Sequence, residues 1–231
     1  MSNHQTNRLG PSIYQNGQKP GSSVSKPVAV IRGHEHTMLT FTLDTNCIIA
    51  VDEARPEASA VKALAAAHDE GTVSVALVAI SASERQKDGS TLETFDGFKQ
   101  RTSQLGLGRL ALLKPMMYWD LTFWDFGLWS DDSMESLERS IHEVLFPNIP
   151  FLWKDYCAAL EIDPATTKPD RKWKNAKCDV QAFWSHASNK RDVFVTTDSN
   201  FHAETKKHKL LSIAGGRIEL PAAAVKLAQQ E

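Results

Sequence analysis

Apolar residues along this chain follow two alternating rhythms. Residues 39–43 (LTFTL), 72–80 (TVSVALVAI) and 192–197 (DVFVTT) are short β-branched and apolar runs bounded by polar or turn residues. Runs of that length and composition predict strands buried on both faces. Between them the spacing turns helical. Ala60, Val61, Leu64, Ala65 and His68 recur on one face, with Pro56 before the segment and Gly71 after it. Leu137, Ile141, Val144 and Leu145 mark a helix over 133–146, with Asp132 as its cap and Glu135 reaching back as in a capping box. Val180, Phe183 and Trp184 mark one over 179–187 that begins at Asp179, and Ser81 and Ser83 suit a helix start with Glu84 in the first turn. Further helices are expected over 151–160 and 205–211, a short last strand over 217–220, and a C-terminal helix opened by Pro221. Strands alternating with helices predict an α/β fold, a three-layer α/β/α sandwich around a mostly parallel sheet.

Residues 1–36 read as a flexible tail, rich in Ser, Asn, Gln, Gly and Pro, with a short edge strand expected over 27–33. Residues 37–231 then form a single domain, interrupted by a helical and aromatic insertion at about 86–176. Composition agrees with a globular chain: 42% of the 231 residues are hydrophobic and 23% charged, enough apolar material for a sizeable core. No apolar run approaches the ~18 residues of a bilayer span, and the N-terminus lacks the apolar stretch of a secretory signal. Three widely spaced cysteines, Cys47, Cys157 and Cys178, form no CxxC pair. Membrane and secreted classes are therefore set aside, and a reducing cytoplasm is expected.

Net charge is −2, but it is unevenly spread. Residues 168–217 carry 11 Lys/Arg against 5 Asp/Glu, whereas 118–163 carry 2 against 10. Such a dipolar chain can hold a phosphate backbone on one side. Arg171, Lys172, Lys174, Lys177, Lys190 and Arg191 are the candidate phosphate contacts, and Trp173 is a candidate base-stacking group. The six aromatics of 118–130 (YWDLTFWDFGLWS) are better read as core or as a homodimer contact than as a base platform.

Chemistry points to four acids. Asp44 and Asp198 each follow a predicted buried strand, Glu84 follows another, and Asp179 starts the helix feeding the last of them. Ligand crevices of open parallel sheets lie at the carboxyl ends of the strands. Gathered there, carboxylates must take up protons or bind divalent cations, and hard oxygen donors favour Mg²⁺ or Mn²⁺ over zinc. Taken singly, each acid is equally at home as a helix cap, a first-turn acid or an Asx turn.

Asp44-Thr45-Asn46, Glu84 in ISASER, the Asp179-x-x-x-Phe183 helix, VTTDSNF around Asp198, and the ending KLLSI followed by RIELPAA resemble the PIN-domain nuclease family. The resemblance covers about 38–84 and 176–226, and the long intervening segment departs from compact PIN toxins. It implies that Asp44, Glu84, Asp179 and Asp198 hold one or two Mg²⁺ or Mn²⁺ ions for attack of water on a phosphodiester. Asn46 and Thr196 would support these ligands from behind. The implied activity is that of an endoribonuclease, with RNA favoured over DNA and an antitoxin or other protein as a candidate partner. A catalytically weak RNA-binding or scaffold protein is the alternative. A phosphoryl-transfer enzyme is disfavoured, because Asn46 stands where an aspartyl-phosphate DxD site has its second acid.

Overall fold

The computed structural model describes residues 38–84, 92 and 94–230. The expected tail, the expected 27–33 strand and residues 85–91 lie outside the described residues. Five parallel strands form the sheet: β1 (Thr40–Leu43), β2 (Ser74–Val78), β3 (Ala111–Leu113), β4 (Val193–Val195) and β5 (Arg217–Glu219), ordered β3-β2-β1-β4-β5. Among the described residues no helix is long and apolar enough to cross a membrane.

Helices cover both faces, and the strand pleat sorts side chains between them. Phe41 and Leu43 of β1, Val75 and Leu77 of β2, and Val193 and Val195 of β4 meet Val61, Leu64 and Ala65 of α2 (Ala58–Asp69) and Ala224 and Ala228 of α9 (Pro221–Ala228). Phe194, Val78 and Ile218 face the other way. They pack with Ile141 and Leu145 of α4 (Asp132–Leu145), Phe183 and Trp184 of α6 (Arg171–Ser188) and Leu210 of α8 (Glu204–Ala214). The expected three layers are therefore present, with the sheet wholly parallel.

Several boundaries differ from those the sequence predicts. The apolar run at 72–80 is strand only to Val78, and Ala79–Ser83 turn into a 3₁₀ helix that Glu84 ends rather than begins. Asp131, not Asp132, caps α4, accepting the Met134 amide at 2.9 Å. The helix expected to begin at Asp179 starts at Arg171 instead, capped by Asp170, so Asp179 sits mid-helix. Helix α3 (Phe95–Gln104) falls within the insertion expected to be helical, whereas edge strand β3 is not among the expected strands. A three-residue edge strand is too short to show a period. The insertion also supplies α5 (Trp153–Ala159). The remaining short helices are α1 (Thr45–Asp52) and α7 (Ser199–His202).

A buried ion pair ties the insertion to the domain. Lys177 Nζ lies 3.0 Å from Glu138 Oε1, with side-chain exposures of 1% and 0%. The Tyr118 hydroxyl donates to the other Glu138 oxygen at 2.5 Å, and Gln181 Nε2 donates to Oε1 at 2.9 Å. Lys177 also sits 3.5 Å from the Phe151 ring centroid. Every polar group here is satisfied, as low-dielectric burial demands.

Candidate functional site

Strand order reverses between β1 and β4, because the chain moves outward from β1 to β2 and β3 and then crosses back to β4 and β5. That reversal opens the crevice in which open α/β sheets place ligands. Asp44 follows β1 and Asp198 lies just beyond β4, so the two flank it. Glu84 arrives from the end of the 3₁₀ helix after β2. Helix α6 leads into β4 through a short connection and so runs antiparallel to it. Its N-terminal half therefore stands over the same end of the sheet, which brings Asp179 to the crevice.

Each carboxylate is held by neighbours its own segment supplies. Asp44 caps α1: Oδ1 accepts the Thr45 amide at 2.8 Å. Its Oδ2 accepts the Thr196 hydroxyl at 2.7 Å and the Asn46 amide nitrogen at 3.5 Å. Thr196, fully buried, also accepts the Asp198 amide at 3.0 Å. One hydroxyl thus sets the spacing between the β1 and β4 acids. Asp198 caps α7 by accepting the Asn200 amide at 2.8 Å. The Thr45 hydroxyl bonds the Glu84 carboxylate and lies 2.7 Å from the Ser81 hydroxyl. Sequence reasoning singles out neither Thr45 nor Ser81 as a site residue. Thr45 had a signal, as the middle residue of Asp44-Thr45-Asn46, but the Ser81 pairing spans 36 residues and no local pattern reveals it.

Electrostatically the four acids form one group. Burial pushes Asp44 up to about 6, against the bonds from Thr196 and Thr45, and Asp198 adds to the rise. Burial pushes Glu84 up to about 7, with Asp44 and Asp198 adding repulsion. Asp179 is raised well above the carboxylate range, by burial and then by Asp44, Glu84 and Asp198 together. Desolvation and like charge both favour the neutral form. Cys47 and Cys178 adjoin the acids, and burial pushes both thiols well up, which makes them inert packing groups and not reactive thiolates.

The donor set suits a hard cation. Carboxylate and hydroxyl oxygens from β1, β4, the 3₁₀ segment and α6 supply the donors, and the like charge that helps raise Asp44, Glu84 and Asp179 is one a divalent ion would relieve. Among the described residues no three His, Cys, Asp or Glu side chains form a ready-made cage. Mg²⁺ commonly takes one or two protein carboxylates and completes its octahedron with water and substrate phosphate, so its chemistry fits these residues without such a cage.

The basic candidates divide. Arg171 and Lys172 are exposed on the first turn of α6 and Lys174 is half-buried there, at the helix end that stands over the carboxyl edge of the sheet. Lys177 and Trp173 are corrections. Lys177 is consumed by the Glu138 pair, and Trp173 is 4% exposed with its indole nitrogen donating to the Pro150 carbonyl. They lie four residues apart, so they share the inward face of α6. Lys190 and Arg191 precede β4 and therefore stand at the opposite end of the sheet from the acids. Arg191 is also occupied, donating to the carbonyls of Phe41 at 2.9 Å and Ser74 at 2.8 Å. Within 118–130 the aromatics split: Phe126 stacks on Phe95 at 4.1 Å in the core, whereas Trp119, Trp124 and Trp129 are exposed.

No model of a protein family matches the chain, nor does any curated protein or any solved structure.

Proposed function

We propose that the protein is a divalent-cation-dependent nuclease of the PIN type that hydrolyses phosphodiester bonds, with RNA as the preferred substrate. One observation carries the reading. Acids from four separate segments come within electrostatic reach at the switch point of a parallel sheet, where burial and then like charge raise the proton affinity of Asp44, Glu84 and Asp179. A fold gains no stability from such an arrangement, and strongly perturbed acids in a cleft mark a site for chemistry. Helix capping explains Asp44 and Asp198 individually, but it does not explain why Asp179 is lodged mid-helix among three other carboxylates.

Asp44, Glu84, Asp179 and Asp198 would hold Mg²⁺ or Mn²⁺, which supplies charge neutralisation of the phosphodiester and activation of water. The chain's own residues do the rest. Thr196 keeps Asp44 and Asp198 in register, and Thr45 with Ser81 steadies Glu84. Arg171, Lys172 and Lys174 draw the phosphate backbone across the overhanging end of α6. Burial of Asp44 keeps bulk water from its carboxylate, so the local field stays strong.

The test is cleavage of end-labelled single-stranded RNA, with a DNA control, in Mn²⁺, Mg²⁺ and EDTA. Cation-dependent cutting by wild type and its loss in folded Asp44→Asn and Asp198→Asn are expected. Unchanged cutting in both variants overturns the assignment. RNA binding without turnover would instead support a scaffold role, the reading favoured by the exposed Trp119, Trp124 and Trp129.

A further inference from the structure

A recess lies beside the first turn of α6. The insertion folds around a cavity of about 420 Å³ walled by Tyr118, Trp119, Phe151, Trp153 and Trp173, with Lys168 on its lining. Trp153 stacks on Tyr156 at 5.5 Å and meets Trp173 edge-on at 5.5 Å, so these walls are braced from behind. Trp119 is 77% exposed, with the Trp124 ring set against it at a steep angle, 4.4 Å between centroids. A smaller cavity of about 230 Å³ lies alongside, lined by Ser83, Asp120 and Lys174 among others. Asp120 lines both recesses, and Ser83 immediately precedes Glu84. The two cavities therefore meet at Asp120, and the smaller one ends at the 3₁₀ segment that carries Glu84.

We infer that this pair of recesses is a substrate subsite in which one unpaired base of a single-stranded nucleic acid stacks against the aromatic walls while its flanking phosphates run past Lys168 and Lys174 toward the acids. The inference rests on the nuclease reading for its direction, and its binding half stands apart from that reading. Three features of the recess select this occupant over another flat apolar molecule. Trp119 presents an exposed aromatic surface at the rim of the recess, and stacking is how proteins hold unpaired strands. Cations line the path, with Arg171 and Lys172 exposed on the same helix turn. Asp120 supplies an acceptor for base N–H groups at the junction, held at a φ of 56°, in the left-handed region that Asp tolerates better than most residues. Trp173 acts here as a wall of the recess, not as the exposed stacking residue that its basic surroundings suggest.

The experiment measures binding, in EDTA, of a fluorescent five-nucleotide oligoadenylate and of the same strand lacking its bases. Wild type should prefer the strand with bases. Trp119→Ala, at an exposed position where folding is not at stake, should weaken that strand roughly five- to a hundredfold, the range of one lost base stack, and leave the abasic strand unchanged. In cleavage the same variant should raise KM and spare kcat. Lys190→Ala, at the far end of the sheet, should bind both strands as wild type does. Equal affinity for the two strands, wild-type affinity in Trp119→Ala, or no binding of either strand overturns the inference. Base-dependent binding sensitive to Trp119 but without any cleavage keeps the subsite and removes the nuclease. Asp44-dependent cleavage with an unaltered KM in Trp119→Ala does the reverse.

Discussion

Replacing Asp44 by Asn should stabilise the cation-free protein, and the effect should depend on pH. Asp44 is 4% exposed, and burial raises its pKa from 3.8 to about 6. A tenfold change in proton affinity is worth about 1.4 kcal/mol, so the ionised carboxylate costs about 3 kcal/mol at pH 8. The sign follows from proton counting. Between pH 4 and 6 the folded chain binds more protons at this position than the unfolded chain, so wild-type stability falls as pH rises through that window. Below it the acid is neutral in both states and the cost vanishes. Asn keeps an acceptor for the Thr45 amide but mismatches the bond from Thr196 or Asn46, a loss of about 1 kcal/mol. The net gain is then about 2 kcal/mol above pH 7, or about 4–8 °C in Tm for a domain of this size. Thermal unfolding in EDTA from pH 4 to 8, followed by circular dichroism, measures it. The variant should fall level with or below wild type at pH 4 and separate upward as pH rises. A variant that is no more stable at pH 8, or a difference that does not vary with pH, would show that Asp44 is a helix cap and nothing more.

Three further outcomes are expected. Glu138→Ala should cost about 3–5 kcal/mol in urea unfolding, because it strands the Lys177 ammonium in the core, and adding Lys177→Met should recover most of the loss; a cost below about 1 kcal/mol would contradict the buried pair. Mn²⁺ should bind more tightly as pH rises from 5.5 to 7.5 and should release protons, detected by calorimetry in buffers of different ionisation enthalpy, because Asp44 near 6 and Glu84 near 7 must ionise to accept it; pH-independent binding would place the ion elsewhere. Arg171→Ala with Lys172→Ala should weaken RNA binding and lower its salt dependence by about 0.7 per lost phosphate contact, whereas Lys190→Ala at the far end of the sheet should do neither; equal effects from both ends would mean that the strand does not follow the crevice.

The layers of this protein are legible in its sequence. Strands buried on both faces read as unbroken apolar runs, helices between them read at their own period, and both patterns are local enough to survive without coordinates. The order of the acids along the chain is legible for the same reason, since Asp44, Glu84 and Asp198 each sit where an apolar run stops. Thr196 and Asn46 are legible as neighbours of those acids, and both donate to Asp44. Packing settles whatever depends on which face of an element points inward. A basic stretch gives no sign that Lys177 meets Glu138, 39 residues earlier in the chain, while Arg171 and Lys172 stay in water. Lys190 and Arg191 carry the right charge at the wrong end of a parallel sheet, because α6 runs back past the strands before β4 begins. The aromatic recess depends on Tyr118, Phe151 and Trp173 meeting from three separate segments. Burial and long-range proximity are properties of the packed chain, and they raise the proton affinity of Asp44, Glu84 and Asp179 beside Asp198.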